Sequence, residues 1–342
     1  MNHISKLLLG VCLSFVFISN AQTETRKFQM HTIAFYNVEN LFDTEDDPET
    51  NDDVKTPSWY AQKLKNLERV ISEIGTTDQH QNSPIVLGVC EIENRKVLED
   101  LVNMPKLKAK GYKVIQGDSP DGRGIDNAFL YQEKHFKPTS YAYINPRVPR
   151  REDPGKFLRT RDILLVSGLL DGEEMHFIVN HWPSRAGGEK RSSPGRERAG
   201  QANREIIDSL LKINPMAKIM TMGDLNDGPF NKSVKVELRT VPKRAEMKPD
   251  LMYNPMEEMS KKGIGTLAYR DAWDLFDQII MTYAWIKDDY SSWRYLKAGV
   301  FNRPYMVQTT GRYKGYPLRN SDAEPGFSDH FPVYVHIVKE VK

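Results

Sequence analysis

Six short polar motifs carry the chemistry available to this sequence. In chain order they are Tyr36-Asn37-Val38-Glu39-Asn40, Cys90-Glu91, Asn180-His181-Trp182, Gly223-Asp224-Leu225-Asn226, Asp277-Gln278-Ile279 and Ser328-Asp329-His330. Asn37, Glu91 and Asp329 offer amide and carboxylate oxygens, the donors preferred by a hard cation such as Mg²⁺, Mn²⁺ or Ca²⁺. Two cysteines and few clustered histidines argue against a structural zinc site. His181 and His330 can each donate a hydrogen bond to a phosphate oxygen or move a proton. Asp224 can orient and deprotonate a water, and Asn226, two residues on, can help hold that water or the phosphate. Singly these signals are weak, because a carboxylate at a strand end is usually a turn residue. Together, a hard cation, an activated water and two imidazoles suit metal-assisted hydrolysis of a phosphoester.

The elements that must position these groups are legible as apolar, β-branched runs. Strands are expected at Thr32–Tyr36, Pro84–Cys90, Asn127–Tyr131, Ile163–Leu169, Met175–Val179, Lys218–Met222, Gln278–Thr282 and Val333–Val338. Most of the polar motifs follow or precede one of these runs, as expected of side chains on loops held by a rigid scaffold. One helix is expected after Thr56-Pro57, with Tyr60, Leu64, Leu67, Ile71 and Ile74 on one face and a stop at Gly75. A second is expected after Ser193-Pro194, carrying Ala199, Ala202, Ile206 and Leu210. Strands outnumber helices without a strict βαβα alternation, so a single α+β sandwich fits better than a doubly wound sheet.

In this order the motifs resemble the endonuclease/exonuclease/phosphatase superfamily, over about residues 30–340. The resemblance implies a four-layer α/β/β/α sandwich of two mixed β-sheets packed face to face. It implies metal ligation by Glu91, with Asn37 and Asp329 lining the same site, and Asp224 as the residue that activates water, with Asn226 beside it. It implies His330 as a phosphate contact held by Asp277, and His181 as a second histidine active in proton transfer. The strand that starts after Asp277 and the strand that follows His330 would bring these two side chains to one rim if they paired. Arg123, within Asp121-Gly122-Arg123-Gly124, falls where similar proteins place a polar substrate contact. Asn37 and Arg185 complete the expected substrate contacts.

Composition bounds the rest. The 342 residues are 39% hydrophobic and 27% charged, which excludes a disordered, collagenous or multi-span membrane chain. The net charge of +2 gives no global field toward nucleic acid, so such binding needs a local patch. Residues 1–21 read as a signal peptide, with Lys6 before the apolar run Leu7–Ile18 and small residues ahead of a cleavage point after Ala21. Residues 22–342 are then expected to form one exported, monomeric domain without an internal disulfide, its one remaining cysteine, Cys90, buried in the core. The acidic stretch Asp43–Asp53 reads as a solvated loop or a Ca²⁺ site. Arg185–Arg198, with five cations and two acids, reads as a surface loop able to guide anions. Tyr290–Asn320 interleaves six cations with seven aromatics and contains no acid. It suits phosphates and stacked bases, an anionic lipid surface, or simple packing. The leading expectation is a secreted, metal-dependent nuclease. The alternative is the same chemistry on a lipid, sugar or inositol phosphate, and a third is a binding protein on an inactive scaffold.

Overall fold

The computed structural model describes residues 26–153 and 155–341, so the expected signal peptide lies outside the described residues. The chain runs β1 (Lys27–Leu41), α1 (Pro57–Glu73), β2 (Val86–Ile92), α2 (Arg95–Val102), α3 (Pro105–Lys108), β3 (Tyr112–Gln116), β4 (Asp126–Gln132), β5 (Phe136–Ile144), β6 (Ile163–Leu170) and β7 (Glu173–His181). It continues through α4 (Glu189–Ile213), β8 (Ile219–Asp224), β9 (Thr240–Val241), β10 (Met252–Tyr253), α5 (Met256–Lys261), β11 (Leu267–Tyr269), β12 (Ala272–Asp274), β13 (Asp277–Thr282), β14 (Arg294–Val300) and β15 (Val333–Val341). A six-stranded sheet has the order β14-β15-β1-β2-β4-β3, and a seven-stranded sheet the order β5-β6-β7-β8-β13-β10-β9. β11 and β12 form a separate hairpin.

Alternation along the strands builds the layers. In β1, Ile33 and Phe35 face the other sheet, where they meet Phe177, Val179, Met220, Met222, Ile279 and Met281. Ala34, Tyr36 and Val38 face outward against Leu67, Ile71, Val97 and Leu101 of α1 and α2. On the far side, Ile178, Ile219 and Ile280 pack under Ala199, Ala202 and Ile206 of α4. The order helices, sheet, sheet, helix is therefore the expected four-layer sandwich. Among the described residues no helix is long and apolar enough to cross a membrane.

All eight expected strands are present. Three substantial strands without a legible signal, β3, β5 and β14, lie at sheet edges. Edge strands show solvent on one side and carry charges or proline that block further pairing, as Pro138 does in β5. α1 begins where expected, with the Thr56 hydroxyl accepting from the Trp59 amide at 3.3 Å. α4 starts at Glu189, ahead of the expected Ser193-Pro194 signal and just after Gly187 and Gly188, both at positive φ. Pro194 lies inside the helix, so most of Arg185–Arg198 is helix and not loop. Asp43 also departs from expectation: it is buried, accepting from Asn94 and Lys96, whereas Asp46, Asp47 and Glu49 are exposed.

At the pole away from the C-terminal end of β1, a carboxylate fastens the sheets. Asp171, in the β6–β7 turn, takes His31 Nε2 of β1 at 2.8 Å and His135 Nδ1 at 3.2 Å. Burial resists the Asp171 charge, but the two imidazole contacts win and hold it well below the ordinary carboxylate range. Burial lowers His31, with Asp171 opposing. A lowered carboxylate gives stability present above about pH 4 and lost as pH falls; a lowered imidazole loses it below about pH 6.5. Acidification therefore weakens the fastening through both groups. Asp171→Asn is expected to cost about 1–2 kcal/mol at neutral pH, allowing for partial exposure, and to flatten the acid limb of stability. A melting temperature that falls as steeply below pH 4 in Asp171→Asn as in the unchanged protein would remove this role.

Candidate active site

The same alternation that fills the core delivers the site. One step beyond Phe35, Asn37 continues the inward row of β1; His181 continues Phe177 and Val179; Asp224 continues Met220 and Met222; Asp277 precedes Ile279 and Met281. In register, His181 of β7 pairs with Asp224 of β8, and Asp224 pairs with Asp277 of β13. Three site residues thus share one rung of the seven-stranded sheet. Gly223 permits this close pairing, because a Cβ there would stand 2.3 Å from the Asn180 carbonyl oxygen.

Glu91 breaks the alternation. Cys90 already faces inward and is fully buried, so a regular strand would point Glu91 outward. A bulge between Cys90 and Ile92, with Glu91 at φ 63, turns the carboxylate to the site. Across from it, Glu39 and Asn40 also hold positive φ, of 55 and 48, and the Asn40 amide donates to Glu91 Oε2 at 3.0 Å. Consecutive left-handed residues without glycine are costly and cluster at functional sites.

The groups converge tightly. Asn37 Nδ2 stands 3.4 Å from Glu91 and donates to Asp224 Oδ2 at 3.2 Å. His181 Nε2 lies 3.8 Å from Glu91 and 3.7 Å from Asp224. His330 Nε2 lies 3.8 Å from Asp224 and 4.0 Å from Asp329, and its Nδ1 is bonded to Asp277 at 2.7 Å. This last contact is the expected one, reached differently from expectation. β13 and β15 lie in different sheets and do not pair, so Asp277 and His330 meet across the sandwich.

Electrostatics separates the two histidines. Burial opposes charge on His330, but Asp277 and Asp224 outweigh it and hold the imidazolium well above the usual range. Burial pushes His181 well below that range, and Arg161 and Arg123 add to the effect. Charge is therefore favoured on one imidazole and disfavoured on the other. Burial raises Asp224 to about 6; His330 pulls it down, while Asp277 and Glu91 push it up.

Asn226, at φ 50, donates its amide to Asp224 Oδ1 at 2.9 Å and its side chain to the Trp182 carbonyl at 3.0 Å. It fixes the orientation of Asp224. Arg123 reaches the rim, 3.5 Å from Asn40 and 3.8 Å from Asp121. Arg185 is more occupied: it donates to the Asn226 carbonyl and Asp227, pairs with Glu189, and lies over Phe276. It braces the loop after Asp224. Asp329 is the most open of the acids here, 3.7 Å from Arg319.

A hard cation fits this donor set, since carboxylate oxygens converge here and Asp277 and Glu91 add to the rise that burial gives Asp224. Glu91 and Asp329 offer oxygens to it. Asn37 is turned the other way: its Oδ1 accepts the Glu39 amide at 2.9 Å, so its Nδ2 faces the site. That orientation favours contact with phosphate or carboxylate over metal ligation.

Several supporting groups carry little signal in the sequence. Buried Arg161 joins Asp121 to the Trp182 carbonyl, at 3.0 and 2.7 Å. Fully buried Lys63 bonds Asn320 and the Phe327 carbonyl, and Glu39, raised to about 7 chiefly by burial, takes the Asn320 amide. The one available signal for Lys63 is its place near the apolar face of α1.

The Tyr290–Asn320 stretch divides. Trp293, Tyr295 and Phe301 are buried, and Arg294 is buried against Asp288. Arg294 pairs in register with Val338, at the end of β15 away from His330. This part is packing, whereas Arg312–Arg319 returns to Asp329.

Solved structures share this fold. An endonuclease/exonuclease/phosphatase family protein from Bacteroides thetaiotaomicron is 17% identical, with a TM-score of 0.54 over 93% of this chain and 98% of its own. D. rerio TDP2 complexed with single-strand DNA product is 13% identical, with a TM-score of 0.55 over 90% and 98%. A mannosyl-6-phosphatase from Bacteroides thetaiotaomicron is 17% identical, with a TM-score of 0.53 over 90% and 99%. No curated protein matches the sequence. The family model described as Endonuclease/Exonuclease/phosphatase family matches residues 32–339, and the chain belongs to that family.

Proposed function

We propose that this protein is a divalent-metal-dependent phosphodiesterase acting on nucleic acid. The observation that carries the reading is the imidazolium of His330, fixed by Asp277 at 2.7 Å and standing 3.8 Å from Asp224. An acid and a base of opposite charge thus stand side by side, with Asp329 4.0 Å from the same His330 nitrogen. Glu91 and Asp329 would hold the cation, which when bound supplies charge stabilisation to the phosphoryl group. Asp224 takes a proton from the attacking water, and Asn226 keeps its carboxylate aimed. As the new P–O bond forms and the ester P–O bond breaks, His330 donates a hydrogen bond to the oxygen gaining charge. Neutral His181 can take or relay a proton beside Asp224. The N-terminal segment supports an exported protein, which N-terminal sequencing of the secreted or periplasmic product would check.

The test is a substrate panel with Mg²⁺, Mn²⁺ or Ca²⁺: duplex DNA, single-stranded DNA, RNA, sphingomyelin and phosphate monoesters. Internucleotide cleavage is expected to be fastest. Turnover confined to sphingomyelin or to monoesters would replace the nucleic-acid reading with one of its two rivals.

A further inference from the structure

Two cationic pockets flank the site, on opposite sides of Asp224. The first, a cavity of about 520 Å³, adjoins Asp329 and is walled by Tyr269, Arg270, Arg312, Tyr313, Tyr316 and Arg319. The β11–β12 hairpin forms one wall. The Tyr316 hydroxyl latches it to the other, donating to Asp271 Oδ1 at 2.7 Å and accepting the Asp271 amide at 2.6 Å. Trp273 of the hairpin stacks on Phe331, next to His330, with ring planes 14° apart. Tyr269 and Tyr313 remain 64% and 49% exposed. Arg270 and Arg312 lie over these rings and form no ion pair among the described residues.

The second pocket, of about 770 Å³, lies on the Trp182 side. Its lining includes Pro183 and Ser184, which directly follow Trp182, and Arg161, which holds the Trp182 carbonyl. Arg159, Lys190, Arg191 and Arg198 line it; Arg191 pairs with Glu152, its one acid, at 3.5 Å and Arg198 with Glu205 at 2.9 Å, and the cations outnumber these acids. β7, β8 and β13 lie side by side in that order. Trp182 follows β7 and His330 is bonded to Asp277 of β13, so the pockets lie on either flank of the catalytic rung.

A small phosphoester leaves both pockets empty. An extended polyanion fills both. Exposed tyrosine faces beside guanidinium groups take a planar ring and its phosphate, and a base offers its face only when it is not stacked in a duplex. Resting on the phosphodiesterase reading, we propose that the catalytic centre is the midpoint of a track for single-stranded nucleic acid. A nucleotide stacks in the Asp329-side pocket, and backbone phosphates of the other flank lie in the Trp182-side pocket. Cleavage is then internal and needs no free end.

The test measures binding in EDTA, where turnover is blocked, by fluorescence anisotropy with a labelled 12-nucleotide oligodeoxythymidylate. R270A/R312A and K190A/R191A, all at exposed positions, are each expected to weaken binding about ten-fold. Each should also flatten the salt dependence by about 0.7 in log–log slope for every phosphate no longer neutralised. Tyr313→Ala is expected to weaken binding about ten-fold by removing a stacking face, with the slope kept. Circular single-stranded DNA is expected to be cut in Mg²⁺. Wild-type affinity in either double variant, equal affinity for a duplex of the same length, or failure to cut the circle would each overturn the track. Methyl p-nitrophenyl phosphate, too small to span both pockets, tests the chemistry apart from the track. Its resistance would sink the phosphodiesterase reading and leave the binding result standing.

Discussion

Excess EDTA is expected to take turnover below detection, with Mg²⁺ or Mn²⁺ restoring it, and Glu91→Gln is expected to lower kcat by about 10³-fold at saturating metal. The reason lies first in the backbone. A strand delivers alternate side chains to one face, and Cys90 already occupies the inward place. Glu91 reaches the site only because the chain bulges and accepts φ 63, with Asn40 at φ 48 donating to its Oε2. Such a conformation costs about 1–3 kcal/mol, and core packing does not require it. The product is a carboxylate brought within 3.8 Å of His181 and near buried Asp224. Like charges there repel unless a cation joins them. Glu91→Gln keeps shape and the Asn40 contact but removes charge, so metal affinity should fall with kcat, and raising Mg²⁺ should recover part of the loss. Full activity in excess chelator, or a Glu91→Gln enzyme with normal kcat and metal requirement, would remove the metal from the reading.

What is legible in the sequence follows the same physics. Strands that fill the space between sheets are buried on both faces, and their apolar runs are plain, as in Ile219–Asp224. Strands at sheet edges are not, because solvent on one face lets Lys113, Pro138 or Lys297 interrupt the pattern. The site residues are legible as polar letters at the ends of strong strands. Their partnership is only partly so: Asp277 and His330 meet between sheets, and no local pattern states which sheet a strand joins. Asn37 suggests a metal ligand by its oxygen, while the Glu39 amide decides that its nitrogen faces the site. Arg196, which sequence places among the cations of a surface loop, is fully buried against Asp227 at 2.7 Å. A charge in a run of charges gives no local sign that a carboxylate 31 residues on will bury it.

His330→Ala and Asp277→Asn are each expected to lower kcat by about 10²–10³-fold, or roughly 3–4 kcal/mol of transition-state stabilisation, the usual cost of losing one preorganised donor. Asp277 is fully buried and bonds Nδ1 of His330, which fixes the ring and leaves Nε2 facing Asp224. The carboxylate keeps the ring protonated against burial. Asn in its place can bond Nδ1 but supplies no charge, so the ring loses its proton and the donor weakens. If Asp277 acts only through His330, the double variant should be little slower than His330→Ala, because residues acting as a unit are not additive. Stability must be followed alongside. His330→Ala leaves Asp277 buried without its partner, a loss of about 3–5 kcal/mol for a broken buried pair, so its melting temperature should fall. Asp277→Asn then relieves that stranded charge, and the double variant should melt higher than His330→Ala while turning over no faster. A purely structural Asp277 predicts the reverse pattern: normal kcat for Asp277→Asn with a lowered melting temperature. Fully additive losses in kcat would separate the two residues and overturn the pairing as a catalytic device.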